Sequence, residues 1–121
     1  MTLQHTEVAV VGGGMVGGAL ALGLAQQGFE VTVIEQAAPP AYDPTSKPDV
    51  RISAISAASV DLLRGLGVWE AVLAMRAHPY SRLETWEWEN AHVAFDAAEL
   101  KLPRLGYMVE NNVLQLALWQ A

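Results

Sequence analysis

Gly12-Gly13-Gly14-Met15-Val16-Gly17 lies between an apolar run, Val8-Ala9-Val10-Val11, and a small-residue helical pattern, Ala19-Leu20-Ala21-Leu22. A second apolar run, Val31-Thr32-Val33-Ile34, closes on Glu35, 18 residues after Gly17. The order strand, G-x-G-x-x-G, helix, strand, acidic residue is the dinucleotide-binding pattern of a βαβ unit. Each part has a physical task. Gly12 permits a tight turn off the strand, Gly14 lets the backbone approach a pyrophosphate, and Gly17 lets the helix lie close to the sheet. The helix N-terminus offers unpaired N–H groups and a partial positive charge to phosphates. Glu35 can accept hydrogen bonds from ribose hydroxyls, which favours FAD or NAD over NADP. The competing reading is a glycine turn with no ligand. The flanking strand and helix, and Gly28 where a helix-ending glycine belongs, favour the dinucleotide. The motif alone does not separate FAD from NAD.

With 121 residues the chain has room for one domain at most, and 52% hydrophobic residues suit a buried parallel sheet with helices. A net charge of −6 without any Lys/Arg cluster argues against nucleic acid. The absence of Cys excludes disulfides, thiolate metal sites and a cysteine nucleophile, and fits a reducing compartment. The N-terminus lacks a basic, signal-like segment. Residues 8–29 are long and nearly uncharged, but their glycines favour a βα unit over a membrane span.

The pattern predicts a strand near 6–11, a helix near 15–27 and a strand near 30–35. Residues 36–48 hold four of the six prolines and read as a long surface loop. Ser56 or Ser59 can cap a helix running through Leu62-Leu63-Arg64 to Gly65 or Gly67, and Trp69–Met75 reads as a short helix. Leu83–Glu89 alternates like a strand, with Trp86 and Trp88 expected on one face. Asn90-Ala91 reads as a turn and His92–Asp96 as a returning strand. A helix is expected from Glu110, with Val113, Leu114, Leu118 and Ala117 inward. That pattern runs uncapped to Ala121, which suggests the N-terminal piece of a longer protein.

Arg51 is the most interesting charge. It follows the proline-rich loop and adjoins the apolar Ile52-x-Ala54-Ile55 segment. It serves either as a contact to nucleotide phosphates or ribose, or as a salt bridge to Asp49 or Asp61; the residues alone leave both open. His5, His78 and His92 share no metal-ligand spacing. Glu87 and Glu89 read as a solvated strand face, and Trp86 and Trp88 as sheet packing or an aromatic pocket. Ser53, Ser56 and Ser59 lack a His-Asp partner pattern. No acid–base set is complete, so catalysis would need a bound cofactor.

The run Val8–Gly18 ending in Glu35, followed by Asp49–Ser56, resembles the aromatic-ring flavoprotein monooxygenases. The segments Arg51–Ser59, Leu66-Gly67-Val68-Trp69 and Met108-Val109-Glu110-Asn111 narrow the resemblance to the ubiquinone-biosynthesis FAD-dependent hydroxylases. Leu83–Glu89 looks closest to the members acting on a polyprenyl benzoquinol. The resemblance spans essentially the whole chain. It implies an α/β fold, with a Rossmann-like FAD-binding βαβ unit and the start of a substrate-domain sheet. Residues 1–80 would be the N-terminal part of the FAD domain, 81–105 strands of the substrate domain, and 106–121 a helix returning to the FAD domain. FAD would contact Gly12, Gly13, Gly14, Met15, Val16 and Gly17, with its adenosine ribose on Glu35 and with Gln36 and Arg51 also at the cofactor. NAD(P)H and O₂ would be co-substrates of the full-length enzyme, and a polyprenyl benzoquinol the substrate, with the tryptophans near its pocket. No catalytic residue and no metal is implied within the chain.

Full members of that family are several times longer and carry a later Gly-Asp and an Asp-Gly motif, both absent here. The chain alone is therefore expected to be inactive. A polyprenyl substrate implies cytoplasmic work at the inner-membrane surface or within a biosynthetic complex, although no basic amphipathic helix is present. The competing readings are a sister hydroxylase acting at another ring position, an NAD-binding module of a dehydrogenase, and a scaffold without cofactor. The dehydrogenase reading leaves the Arg51 segment and the tryptophan hairpin unexplained.

Overall fold

The computed structural model describes residues 2–121. The chain opens with β1 (Val8–Val11), α1 (Met15–Gln26) and β2 (Val31–Ile34), and β1 and β2 pair in parallel with Val8 beside Val31 and Val11 beside Ile34. This is the expected βαβ unit. Its apolar strands and its glycine- and alanine-rich helix suit burial on more than one side. One side is covered: Gly18 and Ala21 are buried, and a Cβ on Gly18 would touch the Leu118 side chain. Val11 and Val16 remain more than four-fifths exposed. Gly28, with φ +93°, turns the chain out of α1.

Residues 35–51 form no regular element, as their prolines require. Next come β3 (Ile52–Ser56), α2 (Ala57–Gly65) and α3 (Trp69–Met75). The Ser56 hydroxyl caps α2 by accepting from Ser59 N–H at 3.3 Å. After β4 (His78–Tyr80), a hairpin of β5 (Arg82–Trp88) and β6 (Ala91–Asp96) leads through a 3-10 turn to β7 (Gly106–Glu110) and α4 (Asn111–Gln120). β7 is central in an antiparallel sheet of order β3-β7-β4. The final helix thus begins at Asn111, and residues 106–110, expected in the helical return, form a strand instead. Their place is fixed by pairing with Ile52–Ser56 on one side and His78–Tyr80 on the other. A Cβ at Gly106 would run into the Ile55 carbonyl, so the close β3–β7 approach needs glycine there.

The core joins α2, α3, β7 and α4 through Val60, Leu63, Val72, Val109, Val113 and Leu118, among others. Trp69 is 1% exposed and meets Tyr107 edge-on at 5.0 Å. The proline-rich loop is tied to this core by charge. Glu110, 8% exposed, accepts from Arg76 Nε at 2.7 Å and from Asp49 N–H at 2.8 Å. Arg76 also donates to the Ser46 carbonyl at 2.9 Å, and Tyr42 O–H donates to the Met75 carbonyl at 3.0 Å.

The β5–β6 hairpin pairs with neither of the other sheets. Its register corrects one expectation. Trp86 stands opposite His92, but a bulge at Glu87 sets Trp88 opposite Ala91. Trp86 therefore shares the polar face, where Arg82 bonds Glu84 and Asp96 and Glu84 meets His92. Trp88 shares the face of Leu83, Val93 and Phe95. Neither tryptophan is packed: they are 69% and 75% exposed.

Two outcomes are expected in thermal or urea denaturation. Trp69→Ala destabilises by about 3–5 kcal/mol, whereas Trp86→Ala and Trp88→Ala each change stability by no more than about 0.5 kcal/mol. Glu110→Gln, which leaves the half-buried Arg76 guanidinium without its anion, costs about 1–3 kcal/mol and makes residues 36–50 cleavable by protease at lower protease concentrations than in the wild type.

Candidate functional site

The loop Gly12–Gly14 leaves the carboxyl end of β1 and enters α1 at Met15. Gly12 has φ +99°, a conformation that L side chains resist, and its N–H bonds the Ile34 carbonyl at 2.8 Å. A Cβ on Gly17 would strike the Gly12 carbonyl, so Gly17 is required for the first turn of α1 to fold back against the loop. A Cβ on Gly14 would meet nothing within 4 Å. That leaves the loop backbone at Gly14 open to close approach. Gly14 is the N-cap of α1, with no side chain capping the helix and no acidic residue in its first turn. The N-terminal N–H groups of a 12-residue helix are thus left to an outside acceptor, and the helix dipole favours an anion. Met15 is half-buried beneath this end and Val16 is exposed.

Glu35 stands just beyond β2, beside the loop. Its Oε1 accepts from Gly13 N–H at 3.0 Å and its Oε2 from Ala37 N–H at 3.1 Å. The backbone N–H groups of Ala37, Gly13 and Gln36 hold its carboxyl below its ordinary value, against the opposing effect of burial. It is therefore a fixed anion at neutral pH, with lone pairs left for hydroxyl donors. Gln36 sits in the exposed turn that supplies part of this anchoring. The residues present fit a dinucleotide: free helix N–H groups for phosphates, a Cβ-free approach at Gly14, and a carboxylate for a ribose.

Arg51 lies elsewhere in the chain path, just before β3. Its N–H donates to Asp49 Oδ1 at 3.1 Å and its carbonyl accepts from Asn111 N–H at 2.9 Å. Neither expected salt bridge forms. Asp49 spends its second oxygen on Asn112 Nδ2, and Asp61 pairs with Arg64. Among the described residues no hydrogen bond or ion pair engages the Arg51 guanidinium, and none joins it to the glycine loop. His5, His78 and His92 are all exposed, and no group of metal-ligating side chains occurs among the described residues.

Two residues near the loop escape the sequence reading. The Gly13 carbonyl accepts from Gln115 Nε2 at 2.8 Å and from Trp119 Nε1 at 2.7 Å. Their only signal is a spacing of four on α4, which places them on one helix face. Nothing in the sequence says that this face meets the glycine loop.

Comparison with known proteins agrees with this geometry. The family model described as an FAD binding domain matches residues 5–116. The chain is 78% identical over 121 residues to the 3-demethoxyubiquinol 3-hydroxylase of Escherichia coli K12, covering all of this chain and 31% of that protein. It is 33% identical over 118 residues to the mitochondrial ubiquinone biosynthesis monooxygenase COQ6 of Danio rerio, covering 93% of this chain and 24% of that one. The chain thus spans less than a third of the length of these relatives. Among solved structures, the flavin-dependent halogenase CmlS superposes with a TM-score of 0.71 at 23% identity, over 98% of this chain and 21% of that one. PqsL of P. aeruginosa superposes with a TM-score of 0.69 at 19% identity, over 97% and 30%. These two likenesses speak to the fold. A βαβ unit with an uncapped glycine-loop helix, matched across residues 5–116, makes this chain a member of the FAD binding domain family.

Proposed function

We propose that this chain is the N-terminal FAD-binding part of a flavin monooxygenase that hydroxylates a polyprenyl benzoquinol ring in ubiquinone biosynthesis, using NAD(P)H and O₂. One observation carries the cofactor half of this reading: the uncapped N-terminus of α1 opens under a glycine loop whose neighbour, Glu35, is an anchored anion. In this reading residues 1–80 and 106–121 belong to the FAD domain and the β5–β6 hairpin to the substrate domain. Gly14, Met15, Val16 and Gly17 present N–H groups to the pyrophosphate, Glu35 and Gln36 border the adenosine ribose, and the unpaired Arg51 guanidinium reaches the cofactor. FAD, when bound, supplies the redox chemistry that moves one oxygen atom from O₂ to the ring. The chain's own residues bind and orient it.

The finer reading, a 2-polyprenyl-3-methyl-6-methoxy-1,4-benzoquinol as substrate, is supported by the 78% identity to 3-demethoxyubiquinol 3-hydroxylase. Sister hydroxylases of the pathway stand further off, at 33% for COQ6 of Danio rerio and 36% for UbiL of Rhodospirillum rubrum. No helix among the described residues is long and apolar enough to cross a membrane. A polyprenyl substrate would be met at a membrane surface or handed over within a biosynthetic complex, and we place the protein there, on the cytoplasmic side.

The direct test is the absorbance spectrum of the purified full gene product after FAD is added and free FAD removed. Retained flavin bands are expected. A colourless protein, or one that enhances nicotinamide fluorescence instead, overturns the reading. Glu35→Gln is expected to weaken FAD binding roughly 10-fold at pH 7, the scale of a hydrogen bond to a charged group. Because folding lowers the Glu35 pKa, the stabilisation from its charged form is complete above the ordinary value of 4.5 and is lost as pH falls through that value and then through the lowered one. FAD affinity follows ionisation in the folded protein alone, so the gap between wild type and Glu35→Gln should close only as pH falls through the lowered value, below 4.5.

A further inference from the structure

We infer that Gln115 and Trp119, on α4, are positioning residues that aim the phosphate-binding N–H of Gly14. This rests on the FAD reading above and adds to it residues more than a hundred positions away. The argument starts with the Gly13–Gly14 peptide. A trans peptide is planar, and its C=O and N–H point in opposite directions. The Gly13 carbonyl is drawn toward α4 by two donors at once, Gln115 Nε2 at 2.8 Å and Trp119 Nε1 at 2.7 Å. The Gly14 N–H must then point away from α4. No protein acceptor takes up the Gly14 N–H among the described residues, and a Cβ at Gly14 would meet nothing within 4 Å. The N–H of Gly13 is held in turn by Glu35 Oε1 at 3.0 Å. Gly13 itself is buried, with Trp119 and Glu35 carbons 3.0–3.2 Å from where a Cβ would stand.

Glycine is the residue whose backbone rotates most freely, so a three-glycine loop needs external restraint to present one donor direction. Ordering the loop before the ligand arrives removes a conformational cost that binding would otherwise carry. Gln115 and Trp119 supply that restraint from the carbonyl side and Glu35 from the amide side.

The test uses Gln115→Met and Trp119→Phe, singly and together, in the full gene product. Each removes a donor and keeps most of the apolar contact. Binding of ADP and of FAD is measured by titration calorimetry, at a temperature where circular dichroism shows each variant folded. Each single variant is expected to weaken both ligands by about 3- to 10-fold, the scale of one net hydrogen bond. Riboflavin, which lacks the pyrophosphate, should lose nothing. In amide spectra the Gly14 resonance should shift in the ligand-free variants. If ADP and FAD bind the folded variants as tightly as wild type, α4 merely packs there and the inference falls, whatever happens to the melting temperature. Equal loss for riboflavin overturns it as well. If one variant fails to fold, the other still decides the matter. A wild-type protein that binds neither ADP nor FAD overturns the FAD reading and this inference together.

Discussion

The apolar side of α4 is the contact on which the rest of the chain depends. Val113, Leu114, Ala117 and Leu118 are all buried, and they face two bodies at once. On one side Leu118 lies over Gly18 of α1, where a Cβ on Gly18 would make ordinary van der Waals contact with it. On the other, the same helix completes the cluster of Val60, Leu63, Trp69 and Val72 from α2 and α3. The βαβ unit and the β3-β7-β4 sheet share no strand pairing. A helix packed between them, together with direct contacts of α1 such as Gln26 Nε2 to the Leu66 carbonyl at 2.7 Å, holds them in a fixed relation, and close packing of that kind transmits small displacements.

Charge performs the corresponding task for the irregular segment. A proline-rich stretch cannot bond its own backbone in a ladder, so its fixed points must come from elsewhere. Glu110 and Arg76 provide them, reaching Asp49 N–H and the Ser46 carbonyl from the last residue of β7 and the residue just after α3. Arg51 follows two residues after Asp49, so its backbone is anchored while its guanidinium has no partner among the described residues. A free cation on a held backbone is suited to an anionic ligand.

How much of this was legible in the residues follows from the range of the forces involved. β1, α1, β2, a serine cap on α2 (Ser56 or Ser59), α3 and the inward residues of α4 are readable because short-range pattern and local capping decide them. β4 and β7 are not: His78-Pro79-Tyr80 and Gly106–Glu110 have no strong strand signature, and sheet pairing with Ile52–Ser56 makes them strands. Strict period-two alternation would set Trp86 and Trp88 on one face, and a single extra residue at Glu87 breaks that phase. At the site, the glycines and Glu35 announced themselves through spacing. Gln115 and Trp119 could not, since their role depends on where α4 docks.

The bonds from Gln115 and Trp119 to the Gly13 carbonyl join residues 102 and 106 positions apart. At ordinary ribosomal speeds of ~5–20 residues per second, roughly 5–20 s separates the appearance of the glycine loop from that of the groups that fix it. For that interval the nascent βαβ unit carries its loop without a carbonyl partner and its apolar helix without α4. The restrained form of the glycine loop is thus complete only about a hundred residues after the loop itself is made, and a chaperone would meet the unrestrained form first.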